Sequence, residues 1–433
     1  MDIAKALSRA VEHHGEGRLP EAEALYRQVL QVDANNPDAL HLLGVLADQV
    51  GQSEVALDLI QRAVSQNAQN AHYHTSLGNV LRSLERPGEA ITAFQRALEI
   101  EPNFVVALSN LGAMWQEQGR RDEAIAAYRR AAEVQPDYAD AHYNLATALK
   151  EVGKLDEAIA ALRRAVELRP DSPHDHVVLA GYLLERHEFE AALQACERCL
   201  QLMPLNTRAI AFKSVALSEL GRYEALATLV DFDRFISRRR IEVPTEFAGL
   251  AEFNAALIGH VRAHPSLIDN PATGATRFGG HTEELLVEPK GPFAVFEKII
   301  DNAVTEYLQS LPTDPSHPYL AYRPRSWRLT VWGVMLRAQG HQVAHNHPGG
   351  WVSGVYYAKL PTVVDSSAAE HAGWIEFGRP PEEFHGGARP PVKLIKPQEG
   401  LLLLFPSYLY HQTVPYQSDE ERVSIAFDVL PEF

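Results

Sequence analysis

The sequence predicts two regions of different class: a solenoid of paired antiparallel helices, then an α+β region in which two helices brace many short strands. Three observations carry this prediction. Residue types recur every 34 positions through the first half. Beyond Pro324 the texture changes to short β-branched or aromatic runs separated by Gly and Pro. Between these regions, Phe247 to His264 and Pro292 to Leu311 have the apolar spacing of amphipathic helices. A chain of 433 residues also exceeds one ordinary core. The expected boundaries are residues 1–231 for the solenoid, 232–245 for a joint and 246–433 for the second domain.

In the first half, alanine recurs at Ala22, Ala56, Ala90, Ala124, Ala158 and Ala192. A small residue recurs at Gly44, Gly78, Gly112, Ala146, Ala180 and Ser214, where one helix must approach its partner closely. Gly17, Gly51, Gly119, Gly153 and Gly221 hold one turn position that needs a left-handed backbone, with Glu85 and His187 filling the gaps. Pro102, Pro136, Pro170 and Pro204 each close a repeat. Cys196 and Cys199 are spaced C-x-x-C, but the preceding repeat has Leu162 and Ala165 at those positions, so they are expected in the core.

Composition narrows the function. A hydrophobic content of 46% with 22% charged residues is that of a globular protein. The net charge of -16 argues against nucleic acid as the main partner. No apolar run is long enough to span a membrane, and the N-terminus lacks a signal-peptide layout, so a cytoplasmic protein is expected. Arg238-Arg239-Arg240 reads as a solvated linker.

The strands expected beyond Pro324 are Trp327 to Leu336, Trp351 to Leu360, Gly373 to Phe377, Val392 to Ile395, Gly400 to Phe405, His411 to Val414 and Arg422 to Val429. Asn270 to Gly280 reads as a loop, and Gly378 to Gly387 as a long loop near a barrel mouth, where Arg379 is a candidate substrate contact. Within this region, His345 and His347 are two residues apart, so on a regular strand both face one side. His411 opens a later strand, and Arg422 and Ser424 form another pair on one face. Neutral imidazoles ligate first-row metals, and arginine grips a carboxylate bidentately. Three imidazoles and one such clamp suggest a metal that holds an acidic cosubstrate.

Two resemblances sharpen this reading. The 34-residue phase over roughly residues 1–230 resembles the tetratricopeptide repeat, whose stacked helix pairs form a concave surface for peptides and proteins. Asn110 and Asn144 share one repeat position, where O-linked N-acetylglucosamine transferase looks similar with an asparagine ladder. They are therefore candidate partner-binding residues for a protein or peptide substrate.

His345-Asn346-His347-Pro348, Ser353-Gly354-Val355-Tyr356-Tyr357, His411 and Arg422-Val423-Ser424 resemble, over about residues 270–433, iron(II)- and 2-oxoglutarate-dependent dioxygenases. The nearest likeness is to bacterial and phage oxygenases, with aspartyl/asparaginyl β-hydroxylases and prolyl hydroxylases more distant. The resemblance implies a double-stranded β-helix, or jelly roll, with Fe(II) and 2-oxoglutarate as cofactors. It makes His345 and His411 iron ligands, and Arg422 the clamp on the far carboxylate of 2-oxoglutarate, supported by Ser424 and Tyr356.

His347 is the departure, because most of that superfamily has Asp or Glu there. His347 is expected to be the third ligand. The alternatives are water, or a carboxylate from Asp365, Glu370 or Glu376. The expected activity is hydroxylation of a polypeptide. Its rivals are a repeat scaffold with an inactive barrel, and a three-histidine cupin-like metalloenzyme that does not use 2-oxoglutarate.

Overall fold

The computed structural model describes residues 2–269, 275–366 and 370–432. Residues 270–274 of the expected Asn270–Gly280 loop lie outside the described residues. The chain forms two compact units, Met1–Pro170 and Asp171–Phe433.

The first unit contains helices α1 (Ile3–Gly15) to α10 (Leu155–Leu168), paired as the repeat period predicts. The small residue of each first helix faces a large one sixteen positions later. A Cβ on Gly44 would lie 2.6 Å from Ile60, on Gly78 2.5 Å from Phe94, and on Gly112 2.7 Å from Tyr128. Ile60, Phe94 and Tyr128 are all buried, so a larger residue at any of these glycines would overpack the helix pair. Gly51 (φ 79°) and Gly119 (φ 73°) end their helices in the left-handed region, and Glu85 (φ 56°) takes the same conformation where glycine is missing. Asn36 and Asn70 cap the following helices through their side chains, satisfying amides that the first turn leaves unpaired.

The second unit opens with four more repeat helices, α11 (Pro173–Glu185), α12 (Phe189–Leu202), α13 (Thr207–Glu219) and α14 (Tyr223–Leu229). Cys196 and Cys199 are free thiols buried in α12; burial pushes the Cys199 thiol up to about 11 and the Cys196 thiol higher still, so neither is a ready nucleophile. A short helix α15 (Phe232–Phe235) leads to β1 (Ser237–Arg240), followed by α16 (Leu250–Ala263), β2 (Ile268–Asp269), β3 (Thr276–His281) and α17 (Phe293–Ser310). The remaining strands are β4 (Ser326–Gln342), β5 (Val352–Lys359), β6 (Ile375–Phe377), β7 (Lys393–Ile395), β8 (Leu401–Pro406), β9 (His411–Thr413) and β10 (Arg422–Glu432).

These strands form an antiparallel seven-stranded sheet ordered β1-β8-β5-β10-β4-β3-β2 and a three-stranded sheet ordered β7-β6-β9. This is the jelly-roll arrangement expected, with α16 and α17 bracing the larger sheet. Phe296 of α17 packs on Tyr356 of β5 with ring centroids 5.1 Å apart, and a Cβ on Gly333 of β4 would lie 2.6 Å from Val261 of α16.

Three features of this unit differ from the expectation. Thr276 to Gly280 are not loop but part of β3, paired antiparallel with β4. Arg238-Arg239-Arg240 is not a solvated linker but part of β1, paired with Leu403, Leu402 and Leu401 of β8. Its side chains alternate between half-buried and exposed; Arg239 pairs with Glu306 at 2.6 Å, and Arg240 donates to Gln398 at 2.6 Å. The stretch from Gly378 to Gly387 does not line the cavity described below. It packs on repeat helices of the same unit: Phe384 meets Phe212 edge-on at 5.6 Å, and a Cβ on Gly386 would lie 2.4 Å from Phe189. Nearby, the Ala388 amide donates to Glu219 and the Tyr408 hydroxyl to the Leu229 carbonyl, at 3.1 and 2.7 Å. These contacts explain why the compact division falls at Pro170 rather than at the end of the repeats.

Candidate metal centre

His345 and His411 are locked together by the backbone. The His345 amide donates to the His411 carbonyl at 3.1 Å, and the His411 amide returns the bond at 2.9 Å. This pair, outside the named strands at its His345 end, brings the segment after β4 against the start of β9. His347 is placed differently. Its amide donates to the Ser407 carbonyl at 2.9 Å, and its own carbonyl accepts from Gly350 in the Pro348-Gly349 turn at 3.1 Å. A ring nitrogen of each histidine lies within 4.8 Å of those of the other two, the only such group of potential ligands among the described residues.

The hydrogen bonds on the other side of each ring decide which nitrogen faces inward. Nδ1 of His345 lies 2.7 Å from the Val343 carbonyl, and Nδ1 of His411 lies 3.1 Å from the Leu409 carbonyl. Nδ1 of His347 lies 2.8 Å from Asp428 Oδ1. A hydrogen bond at Nδ1 leaves Nε2 as the nitrogen that each ring can offer to a metal. Burial, with the neighbouring imidazoles as a lesser cause, pushes His345 down to about 3 and His411 well below the usual histidine range. Both rings therefore stay neutral at pH 7, as ligands must. His347 Nε2 is buried and has no hydrogen-bond partner, an orphaned polar atom that a metal would satisfy. The donor set thus fits an iron(II) ion.

The histidines line a cavity of about 590 Å³ together with Arg422, Ser424 and Asp428. Arg422 is 3% exposed and has no carboxylate partner among the described residues. Its Nη1 donates to the Gly373 carbonyl at 2.5 Å, its Nε is buried without a partner, and its Cζ lies 5.2 Å from the Tyr357 ring centre. A buried cation with no counter-ion is costly, and an anionic ligand would relieve it. The hydroxyls of Tyr357 and Tyr416 are also buried without partners. Burial pushes the Tyr357 phenol up to about 12, which keeps it a neutral donor.

The structure places five sequence-derived candidates, Tyr356, Asp365, Glu370, Glu376 and Arg379, outside the lining of this cavity. Tyr356 does not support the cosubstrate site: its hydroxyl donates to Asn254 Oδ1 at 2.5 Å on the helix side of β5. Successive strand residues face opposite ways, so Tyr357 takes the cavity position instead. The loop carboxylates are also not ligands in this arrangement. Glu376 accepts from Arg379 Nε at 2.6 Å and Gln412 at 2.8 Å, Asp365 pairs with Lys396 at 2.6 Å, and Glu370 lies 3.9 Å from His371. Arg379 is thereby occupied by Glu376.

Asp428 is not among the candidates that the sequence motifs supply. A signal for it exists: Arg422, Ser424, Ala426 and Asp428 share one face of β10, and all four line the cavity. In the first unit, Asn110 and Asn144 are both half-buried, and Asn110 Nδ2 donates to Asn79 Oδ1 at 2.9 Å. Asn110 is thus paired with Asn79 of the preceding repeat. His41 and Ser76 form another such link at 2.8 Å, as do Tyr73 and Asp38 at 2.5 Å.

Comparison with known proteins gives the class of each region. Tetratricopeptide-repeat profiles match residues 13–80, 71–104, 116–173 and 147–207. Residues 330–428 match the family described as "Putative 2OG-Fe(II) oxygenase". The chain therefore carries tetratricopeptide repeats followed by a domain of that oxygenase type.

Among curated proteins, human Tetratricopeptide repeat protein 7A is 29% identical over 85 residues, covering 20% of this chain and 10% of that protein. The match thus spans about a tenth of that relative's length. Among solved structures, PilW, titled a type IV pilus biogenesis factor, is 20% identical with a TM-score of 0.45, covering 48% of this chain and 96% of PilW. YrrB, titled a repeat protein with an unusual peptide-binding site, is 26% identical with a TM-score of 0.32, covering 39% of this chain and 88% of YrrB. No helix among the described residues is long and apolar enough to cross a membrane.

Proposed function

We propose that the C-terminal region is an iron(II)- and 2-oxoglutarate-dependent oxygenase that hydroxylates a polypeptide recruited by the repeats. The observation that carries the reading is one cavity lined by three inward-facing imidazoles and by Arg422, a buried cation without a carboxylate partner among the described residues. His345, His347 and His411 would hold the iron through Nε2. Arg422 would grip the far carboxylate of 2-oxoglutarate, with the hydroxyls of Ser424, Tyr357 and Tyr416 as candidate supports. The bound cofactors would supply activation of dioxygen, with a hydroxylated product, succinate and carbon dioxide as outputs. Nδ1–H bonds to fixed oxygens orient the rings before any ligand arrives.

Anaerobic addition of iron(II) and then 2-oxoglutarate to the full chain tests this. A visible charge-transfer band that needs both additions is the expected result. Tight metal binding with no such band would favour the cupin-like rival, which the three-histidine set also suits. Failure to bind metal would favour an inactive scaffold.

Recruitment of a polypeptide rests on the cross-repeat polar pairs of the first unit, whose amides and hydroxyls can exchange partners with an extended backbone. Asn110→Ala combined with Asn144→Ala is expected to raise KM for the polypeptide substrate several-fold and leave substrate-free turnover of 2-oxoglutarate unchanged. An unaltered KM would remove this face from substrate binding.

A further inference from the structure

We propose that Asp428 supplies, through His347, the negative charge that a three-histidine iron site otherwise lacks, and that it fixes which nitrogen of His347 faces the metal. The inference rests on reading the cluster as an iron(II) centre.

The three imidazoles are not equivalent behind the site. His345 and His411 each rest on a neutral backbone carbonyl, at 2.7 and 3.1 Å. His347 alone rests on a carboxylate, Asp428 Oδ1, at 2.8 Å. His347 is also the residue that stands where the resemblance to related oxygenases calls for Asp or Glu. The anion is thus one imidazole further out. A carboxylate hydrogen-bonded to Nδ1–H makes the ring a stronger donor at Nε2 and passes part of its charge to the metal.

The surroundings hold Asp428 in this role. Ser353 Oγ donates to the same Oδ1 at 2.5 Å, and Ser407 Oγ lies 2.9 Å from Ser353 Oγ. The carboxylate is 15% exposed, so solvent screens its charge only in part. Gly350 leaves room for the arrangement, since a Cβ there would lie 2.6 Å from Ser407 Oγ and 3.3 Å from Asp428 Cγ. Trp332 stacks on the His347 ring with centroids 5.5 Å apart, which restricts rotation of the imidazole. Asp428 is therefore a positioning residue, which acts on the metal only through His347.

The test uses the full chain, first metal-free and then loaded anaerobically with iron(II), or with cobalt(II) as a spectroscopic probe. Asp428→Asn keeps the side-chain size and removes the charge. It is expected to weaken metal binding about 10- to 100-fold, shift the cobalt d–d bands, and raise the iron(III)/iron(II) reduction potential. Ser353→Ala removes a donor that partly neutralises the carboxylate, so it is expected to lower that potential. The opposite signs separate a charge effect from general loosening, which would move both variants the same way. Asp428→Glu, which restores the charge, is expected to recover part of the affinity lost in Asp428→Asn.

Wild-type protein that binds metal while Asp428→Asn matches it in affinity and potential would overturn the proposal and leave the iron reading standing. Wild-type protein that binds neither ion would overturn both. If Asp428→Asn does not fold, the Ser353→Ala potential decides: no change, or a rise, refutes the charge relay.

Discussion

Metal binding by the full chain is expected to be lost when His411 is replaced by alanine. His411 is buried at the start of β9, and its amide and carbonyl both pair with His345. Its Nδ1 is tied to the Leu409 carbonyl, so the ring has one orientation and presents Nε2 to the cluster. The ring lies 4.3 Å from His345 and 5.2 Å from His347, centroid to centroid. Metal sites built from a few protein ligands draw several kcal/mol from each, so removing one of three is expected to cost roughly 3 kcal/mol, about a hundred-fold or more in affinity.

The backbone bonds survive the substitution, and the space created opens onto an existing cavity. The metal-free variant should therefore unfold at a temperature close to that of the wild type. Calorimetric titration with iron(II) under anaerobic conditions, alongside thermal unfolding, checks both expectations. An unchanged metal affinity in His411→Ala would remove this residue from the site and leave only two imidazoles, too few for the proposed centre.

Much of this site is legible in the amino-acid sequence alone. Strand positions beyond Pro324 follow from alternation and turn residues, and β5, β8 and β9 begin or end within a residue of the expected places. His345 and His347, however, do not share a face by lying on a regular strand. They meet because His345 bridges to His411 while His347 hangs on Ser407 across a turn, and both bonds are long-range. Spacing selects the right pair, but long-range pairing is what brings the two rings together.

The same alternation that locates β5 also shows why Tyr357 and not Tyr356 reaches the cavity, because adjacent residues cannot face the same side. Asp428 lies beyond the motif Arg422-x-Ser424, and only the alternation of β10 followed for two more steps reaches it. β1 escapes the sequence pattern for a different reason. Ser237-Arg238-Arg239-Arg240 has no apolar face of its own, and its strand character comes from pairing with the buried leucines of β8. The repeats, in contrast, are legible throughout. Each contact between a small and a large residue is local in sequence, so the period alone specifies it.

Arg422→Ala is expected to weaken 2-oxoglutarate binding about 10- to 100-fold while iron binding stays intact. Loss of a charge-assisted hydrogen-bonded pair costs about 1.5–3 kcal/mol, and among the described residues Arg422 is the only side chain lining this cavity with a permanent positive charge. The more informative expectation concerns stability without ligand. An arginine in a structural ion pair leaves a buried carboxylate stranded when it is removed, and the fold suffers. Arg422 has no carboxylate partner among the described residues, and its hydrogen bond is to the Gly373 carbonyl at 2.5 Å, with Nε unpaired. Removing it takes away an uncompensated buried cation, so the ligand-free variant is expected to be as stable as the wild type or more so.

Arg422→Lys is not expected to rescue cosubstrate binding, because an ammonium cannot offer the planar pair of donors that a carboxylate accepts from guanidinium. Affinity can be read from the charge-transfer band at fixed iron(II), and stability from thermal unfolding of the metal-free protein. Wild-type affinity for 2-oxoglutarate in Arg422→Ala would sink the assignment. A large fall in ligand-free stability would show that the guanidinium supports the Gly373 segment of the fold instead of waiting for an acid.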